Sequence, residues 1–434
     1  MSSSAPTRVR FAPAPTGFLH LGSARTALFN WLYARHTGGE LVLRIEDTNA
    51  ELTRPELIDN IYRSLEWLGI DWDGEPVRQS QRAHLYDEAV EGWLDEGRAY
   101  LDDGAVRFRV PDEGVTAWDD LVRGRIEFEH RHIEDFVVRR SDGSATFFVA
   151  NAVDDLDLGI THVVRGEDLV NVTPKVILLR QALGVNDLPS YAHLPLIVNA
   201  QRKKLSKRRD DVALESYRDR GILAEAMVNY LALLGWGPPD DVEVRPLGEI
   251  VELFELTDVN PAAAMFDPTK LEAINGHYIR SMAPGDFAAA IVPWVRQEPW
   301  GTGLDAPDLQ TVAPLIQERT RALEQAPAQL DFFFLEEPIV DADAWSKVMG
   351  GDDAIPLLTG ARAAFESCEW QVDRLHGVLA ALGEGRGLKL GKAQAPVRLA
   401  VTGRTVGPPL FESLVVLGRE RALARLDAAL AVFD

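Results

Sequence analysis

Residues 7–47 read strand, turn, helix, strand, and that order restricts the chain to a parallel sheet. TRVRFA (7–12) alternates like a short strand, and PAPTGF follows as a turn punctuated by Pro13, Pro15 and Gly17. From His20 the apolar residues Leu21, Ala24, Leu28, Trp31 and Leu32 recur at three- and four-residue steps, the period of a helix. Gly38-Gly39 supplies a helix stop. ELVLRIED (40–47) then carries the unbroken apolar run of a strand covered on both faces. Two strands joined by a helix at this spacing form a βαβ unit with a right-handed crossover.

Residues 54–68 and 82–99 read as further helices. Between 100 and 150 the character changes: AVRFRVP, RIEFEH, DFVVRR and ATFFVAN are short strand-like runs separated by Asp, Gly and Pro, a small mixed insertion. The α/β pattern returns with ITHVVRGEDL (160–169), a helix over 173–184 and AHLPLIV (192–198). Beyond 210 the chain is mainly helical, and 305–434 is rich in Ala and Leu at helical spacing. At 434 residues the chain is too long for one core. The expected architecture is α/β. A parallel-sheet nucleotide-binding domain (1–90 and 152–200) is interrupted by the insertion (91–151). A helical domain (201–304) and an all-helical domain (305–434) follow.

The balance of 45 Lys+Arg against 67 Asp+Glu gives a formal charge of −22, yet RKKLSKRR (202–209) concentrates six cations in eight residues. A solvated helix face mixes signs, so this run implies an anionic partner. A nucleic-acid-binding protein this acidic must gather its cations on one face. A single cysteine, Cys368, excludes an internal disulfide and a cysteine-rich zinc site. No stretch of about 18 apolar residues exists to span a membrane, and the first residues lack the apolar core of a signal peptide. These features point to a cytoplasmic protein without a membrane partner.

Two segments carry chemistry. At His20-Leu21-Gly22-Ser23 a helix opens after a Pro/Gly turn, and helix N-termini attract anions. Gly22 leaves room for a nucleotide against the backbone, and His20 can donate to a phosphate. In KKLSKR, Lys204 and Lys207 flank Ser206 in a loop after a strand. Preorganised positive charge there suits a pentacovalent phosphate, where negative charge develops.

Together the two segments resemble the paired signatures of class I aminoacyl-tRNA synthetases. RFAPAPTGFLHLGSARTALFNWLYAR, LVLRIEDTN, ITHVVRGEDL and KKLSKR are similar to bacterial glutamyl-tRNA synthetases. The resemblance continues through AMVNYLALLGW (226–236), FDPTKLEAINGHYI (266–279) and LGKAQAPVRLAVTGRTVGPPLFESLVVLGRERALARL near the C-terminus. It implies a class I synthetase fold and a two-step reaction: ATP and L-glutamate give glutamyl-adenylate and pyrophosphate, and tRNA(Glu) then takes the glutamyl group, releasing AMP. It implies ATP contacts from Pro15, Gly17, His20, Gly22, Ser23, Lys204, Leu205, Ser206, Lys207 and Arg208, with His20, Gly22, Lys204 and Lys207 acting in catalysis. It places Arg10 and Arg165 on the substrate carboxylates and Glu46 on the ammonium, with Ala14, Phe147 and Asn151 completing the pocket. Mg²⁺ is expected to accompany ATP, no zinc is expected, and the enzyme is expected to be a monomer whose last domain reads the anticodon. The competing reading of Arg10, Glu46 and Arg165 is a structural ion-pair network at strand ends.

The sequence departs from the family's pattern at four places. Ala14 stands where a serine is usual and Phe147 where a tyrosine is usual, so two hydroxyls are missing. DTNAEL carries Asn49 and Leu52 in place of Asp and Arg. GRAYLDDGAVRFRVP (97–111) joins directly where relatives carry a longer segment, sometimes with a zinc site. These changes leave two alternatives open: a paralogue of the same fold with altered amino-acid or acceptor specificity, and a non-catalytic tRNA-binding protein.

Overall fold

The computed structural model describes residues 6–49, 51, 53–205 and 213–433. The chain divides into two units, Met1–Asp219 with Leu223–Leu271, and Arg220–Ile222 with Glu272–Asp434.

In the first unit β1 (Arg8–Phe11), α1 (Leu21–Thr37) and β2 (Glu40–Ile45) form the expected βαβ unit, the strands parallel with Arg10 opposite Val42. Gly38 ends α1 with φ 63°, the left-handed conformation that glycine adopts without strain. Helix α1 is buried on nearly every face, through Leu21, Ala24, Ala27, Leu28, Phe29 and Leu32, so it lies inside the domain. Helix α2 (Pro55–Trp67) leads to β3 (Val77–Arg78), which pairs with β2 and closes that side of the sheet.

Helix α3 (Ala83–Asp95) precedes the insertion, whose strands serve two sheets. β4 (Ala99–Asp102), β5 (Ala105–Phe108) and a later strand, β8 (Phe136–Arg139), make a small antiparallel sheet. Between them β6 (Val115–Asp120) and β7 (Gly124–Glu129) form a hairpin that joins the nucleotide-binding sheet instead. Asp103 and Gly104, with φ 47° and 78°, connect β4 to β5 as a two-residue loop with both central φ angles positive. An Asp-Gly pair is suited to that turn because its twist matches the strands.

ATFFVAN is not a strand. Phe147–Asp157 form helix α4. Its aromatic and β-branched start satisfies strand preferences, but the apolar residues Val149, Ala150, Ala152 and Val153 are buried together with the polar stripe Asn151, Asp154 and Asp155. A helix buried on all sides has no alternation to distinguish it. The chain continues through β9 (His162–Gly166), α5 (Thr173–Ala182) and β10 (Ser190–Leu194). β9 and β10 are parallel, β10 pairs with β6, and β9 lies against β1, where the Thr161 N–H donates to the Arg8 carbonyl at 2.9 Å. The chain therefore builds outward from β1 in one direction through β2 and β3, and in the other through β9, β10, β6 and β7. Such a reversal leaves a crevice at the carboxyl ends of the central strands, where α/β proteins bind ligands.

The second unit is mainly helical, as expected for the C-terminal region. Ala354–Ser367, Val372–Glu384, Leu390–Thr402, Leu410–Leu417 and Arg419–Leu430 pack around Leu358, Phe365, Leu375, Leu379, Val397, Leu414 and Leu426. Arg425, almost fully buried, donates to the carbonyls of Val401 at 2.6 Å and Phe332 at 2.7 Å. Both acceptors lie at helix C-termini, which carry partial negative charge. Among the described residues, no helix is long and apolar enough to cross a membrane.

Candidate active site

A cavity of about 560 Å³ opens at the carboxyl ends of β1, β2 and β9, within the range of small-molecule sites. Its lining unites Arg10 from β1, Glu46 just beyond β2, Phe147 and Asn151 from α4, Arg165 from β9, and Ala14. His20, Gly22 and Ser23 at the mouth of α1 line it too, as do Lys204 and Leu205. The two chemistry-bearing segments, far apart in sequence, thus border one space.

The fold fixes each position. His20 caps α1, its ring Nδ1 accepting the Ser23 N–H at 3.1 Å. A Cβ at Gly22 would sit 3.1 Å from that ring, so a side chain there would press on the histidine. Lys204 is bridged to Val198 and its ammonium lies 3.2 Å from Asp168, with both groups more than half exposed. Ser206, Lys207 and Arg208 lie outside the described residues, but both flanks of that segment are placed. Leu205 lines the cavity, and Ala213 forms a bridge with His20. Pro15 and Gly17, expected to contact ATP, are not among the residues lining the cavity. Pro15 is buried in the turn and Gly17 is half-buried.

Beneath the cavity runs a buried charge network. Asp155 accepts from Arg10 Nε at 3.2 Å and from Arg44 Nη1 at 2.6 Å. Arg44, fully buried, also donates to Glu46 at 3.1 Å and to the Asn151 carbonyl oxygen at 2.8 Å, and the Asn151 amide donates to Glu46 at 3.2 Å. Phe147, Asn151 and Asp155 are spaced by four, which puts them on one face of α4. Burial opposes ionisation of Asp155, but Arg10 and Arg44 hold its carboxyl below the usual range. Burial pushes Glu46 upward, against the pull of Arg44 and Arg10. Burial, reinforced by Arg10, brings Arg165 down to about 10, which leaves it a cation at neutral pH. Arg44 lies within LVLRIEDTN but its role has no signature there, and Asp155 lies in none of the quoted segments; the spacing of four from Phe147 through Asn151 to Asp155 is the signal that could have exposed Asp155.

The pattern described as "tRNA synthetases class I (E and Q), catalytic domain" matches residues 6–105 and 103–273, and an "Anticodon binding domain" matches 286–430. The chain belongs to the glutamate–tRNA ligase family of class I tRNA synthetases. It is 49% identical to the glutamate–tRNA ligase of Frankia casuarinae and 48% identical to that of Thermobifida fusca, over 97–98% of this chain and 97% of each relative. A solved structure of a glutamate tRNA ligase from Elizabethkingia meningosepticum, in complex with its amino acid, superposes with a TM-score of 0.84 at 28% identity, covering 99% of this chain and 100% of that one. The family pattern is interrupted at 103–105, and the alignment to the Frankia ligase spans 458 positions, more than this chain's 434 residues. The interruption coincides with the Asp103-Gly104 turn, so in this member of the ligase family a tight hairpin stands at the break.

Proposed function

We propose that the chain joins L-glutamate to tRNA(Glu) in the cytoplasm through glutamyl-adenylate, acting as a monomer in which every residue of the site comes from one chain. The observation that carries this reading is charge complementarity at the cavity: among its charged lining residues, Arg10, Arg165 and Glu46 lie together at the carboxyl ends of the strands, and glutamate offers two carboxylates and one ammonium. Arginine's planar fork suits carboxylates, and Arg10 and Arg165 take that role here. Glu46, held upward by burial, gains a favourable cation when the ammonium arrives.

In the first step an α-carboxylate oxygen of glutamate attacks the α-phosphorus of ATP. The bond from that phosphorus to the bridging oxygen breaks, and pyrophosphate leaves. His20, the open first turn of α1 and the Lys204 ammonium border the cavity and would meet the phosphates, and Lys207 is assigned to the same role from the KKLSKR signature. Positioning and charge stabilisation suffice, with no protein nucleophile. A ribose hydroxyl of the terminal adenosine of tRNA then attacks the acyl carbon, loses its proton, and displaces AMP. Mg²⁺ arrives on the ATP phosphates, which supply the oxygen ligands it prefers. Among the described residues no cluster of His, Cys, Asp and Glu is arranged to hold a metal.

ATP–pyrophosphate exchange tests the reading. Glutamate is expected to drive exchange in the presence of tRNA and glutamine is not; exchange driven by another amino acid instead would favour the paralogue, and none with any amino acid the non-catalytic protein. In the same assay, Ala14→Ser combined with Phe147→Tyr is expected to lower the KM for glutamate about 5- to 150-fold, since each hydroxyl restores a hydrogen bond of roughly 0.5–1.5 kcal/mol.

A further inference from the structure

Arg165 is held in an unusual way. Among the described residues it has no carboxylate at ion-pair distance, whereas Arg10 shares Asp155 with Arg44. Its Nη2 donates to the Thr173 hydroxyl at 2.7 Å, and its Nε donates to the Nε2 of His193 at 3.3 Å. The sheet register sets this contact, because His193 on β10 lies directly opposite Arg165 on β9. His193 is fully buried and belongs to neither chemistry-bearing segment.

The proton on the histidine is fixed by its other neighbour. Asp120, at the end of β6, accepts three backbone N–H bonds, from Val122, Arg123 and His193, at 3.0–3.1 Å. That saturates one oxygen and favours the carboxylate form. The second oxygen faces His193 Nδ1, which must therefore carry the hydrogen. Nε2 lies 3.0 Å from the Thr173 hydroxyl and 3.3 Å from the Arg165 Nε, which can only donate, so with the hydrogen on Nδ1 it offers its lone pair to them. Burial and the two nearby arginines disfavour a second ring proton, although Asp120 opposes them.

We propose that His193, oriented by Asp120, is a positioning residue for Arg165: a neutral acceptor aims the guanidinium into the cavity without neutralising it, so its charge is kept for the substrate carboxylate. A carboxylate in the place of His193 would hold Arg165 equally well but would compete with the ligand for it. This inference rests on Arg165 reading a glutamate carboxylate.

The two ring nitrogens can be removed separately. An asparagine amide occupies the place of Nδ1 and a glutamine amide that of Nε2. His193→Asn therefore keeps the group facing Asp120 and loses the acceptor for Arg165. His193→Gln keeps that acceptor. In tRNA-dependent ATP–pyrophosphate exchange with the full chain, His193→Asn is expected to raise the KM for glutamate roughly 10- to 100-fold, the size of one hydrogen bond to a charged group, with the KM for ATP unchanged. His193→Gln is expected to recover most of that loss. Asp120→Asn is nearly isosteric and offers an N–H to Nδ1, which drives the ring proton to Nε2 against Arg165. It should reproduce the rise if the asparagine variant does not fold. An unchanged glutamate KM in both His193→Asn and Asp120→Asn, or equal losses in the asparagine and glutamine variants with both substrates affected alike, would overturn the positioning role. Arg165→Gln separates the two levels. If it leaves the glutamate KM unaltered, the substrate reading beneath the proposal fails; if it raises that KM while His193→Asn does not, only the role of His193 fails.

Discussion

Asp155→Ala is expected to lower the stability of the folded chain by about 3–5 kcal/mol, the usual consequence of removing one partner from a buried ion pair. Asp155 is the carboxylate common to Arg10 and Arg44, and all three side chains are at least nine-tenths buried. Its loss leaves two guanidiniums side by side, with Glu46 and the more distant Asp154, 3.9 Å from Arg44, to balance them. The same change frees Arg10 from its anchor, so the KM for glutamate should rise in whatever fraction still folds. Urea unfolding measures the first effect and exchange kinetics the second. The pH dependence has a definite sign. Arg10 and Arg44 hold the Asp155 carboxyl below its ordinary value in the folded state. Its contribution is therefore complete above the unfolded value of about 3.9 and is lost as the pH falls through the folded value. The stability gap between the wild-type chain and Asp155→Asn should be constant at neutral pH and shrink only below about pH 4. A gap that instead closed between pH 6 and 8 would assign it to some other group.

Lys207→Ala is expected to slow pyrophosphate exchange by about two to four orders of magnitude, because a charge aimed at developing negative charge is worth most in the transition state. The placed flanks support the assignment: Leu205 lines the cavity on one side of residues 206–212, and Ala213 meets His20 on the other. Lys204→Ala should cost less, since that ammonium is more than half exposed and already shared with Asp168. The loss at Lys207 should fall on kcat, with the KM for glutamate little changed. Exchange at the wild-type rate would remove Lys207 from the chemistry.

The legible part of the fold was the part built from local pattern. The turn at PAPTGF, the helix from Leu21, the Gly38 stop and the apolar second strand read directly because each rests on neighbouring residues. ATFFVAN misled because an aromatic, β-branched run fits a strand and a fully buried helix start equally well, and only the longer spacing to Asn151 and Asp155 separates them. The hairpin Val115–Glu129 was partly hidden for another reason. Only RIEFEH stood out, and nothing local says that β6 leaves its neighbours in the insertion to pair with β10, some seventy positions onward. At the site, the residues that line the cavity belong to short signatures. Those that hold them, Arg44, Asp155, His193 and Asp120, act across 73–145 positions or through strand register, and sequence order does not display that distance. Arg10 is an ion-pair partner of Asp155 and also lines the cavity, so the two readings of it are physically compatible.

The account turns on one cavity accepting both halves of glutamyl-adenylate. A co-crystal with glutamyl-sulfamoyl adenosine, a stable analogue of that intermediate, examines this directly. The side-chain carboxylate is predicted to lie against the Arg10 and Arg165 guanidiniums, the ammonium within hydrogen-bonding distance of Glu46, and the sulfamoyl group over Gly22 beside His20. A ligand whose carboxylate and ammonium lay away from these three residues, or whose sulfamoyl group lay far from the mouth of α1, would contradict it.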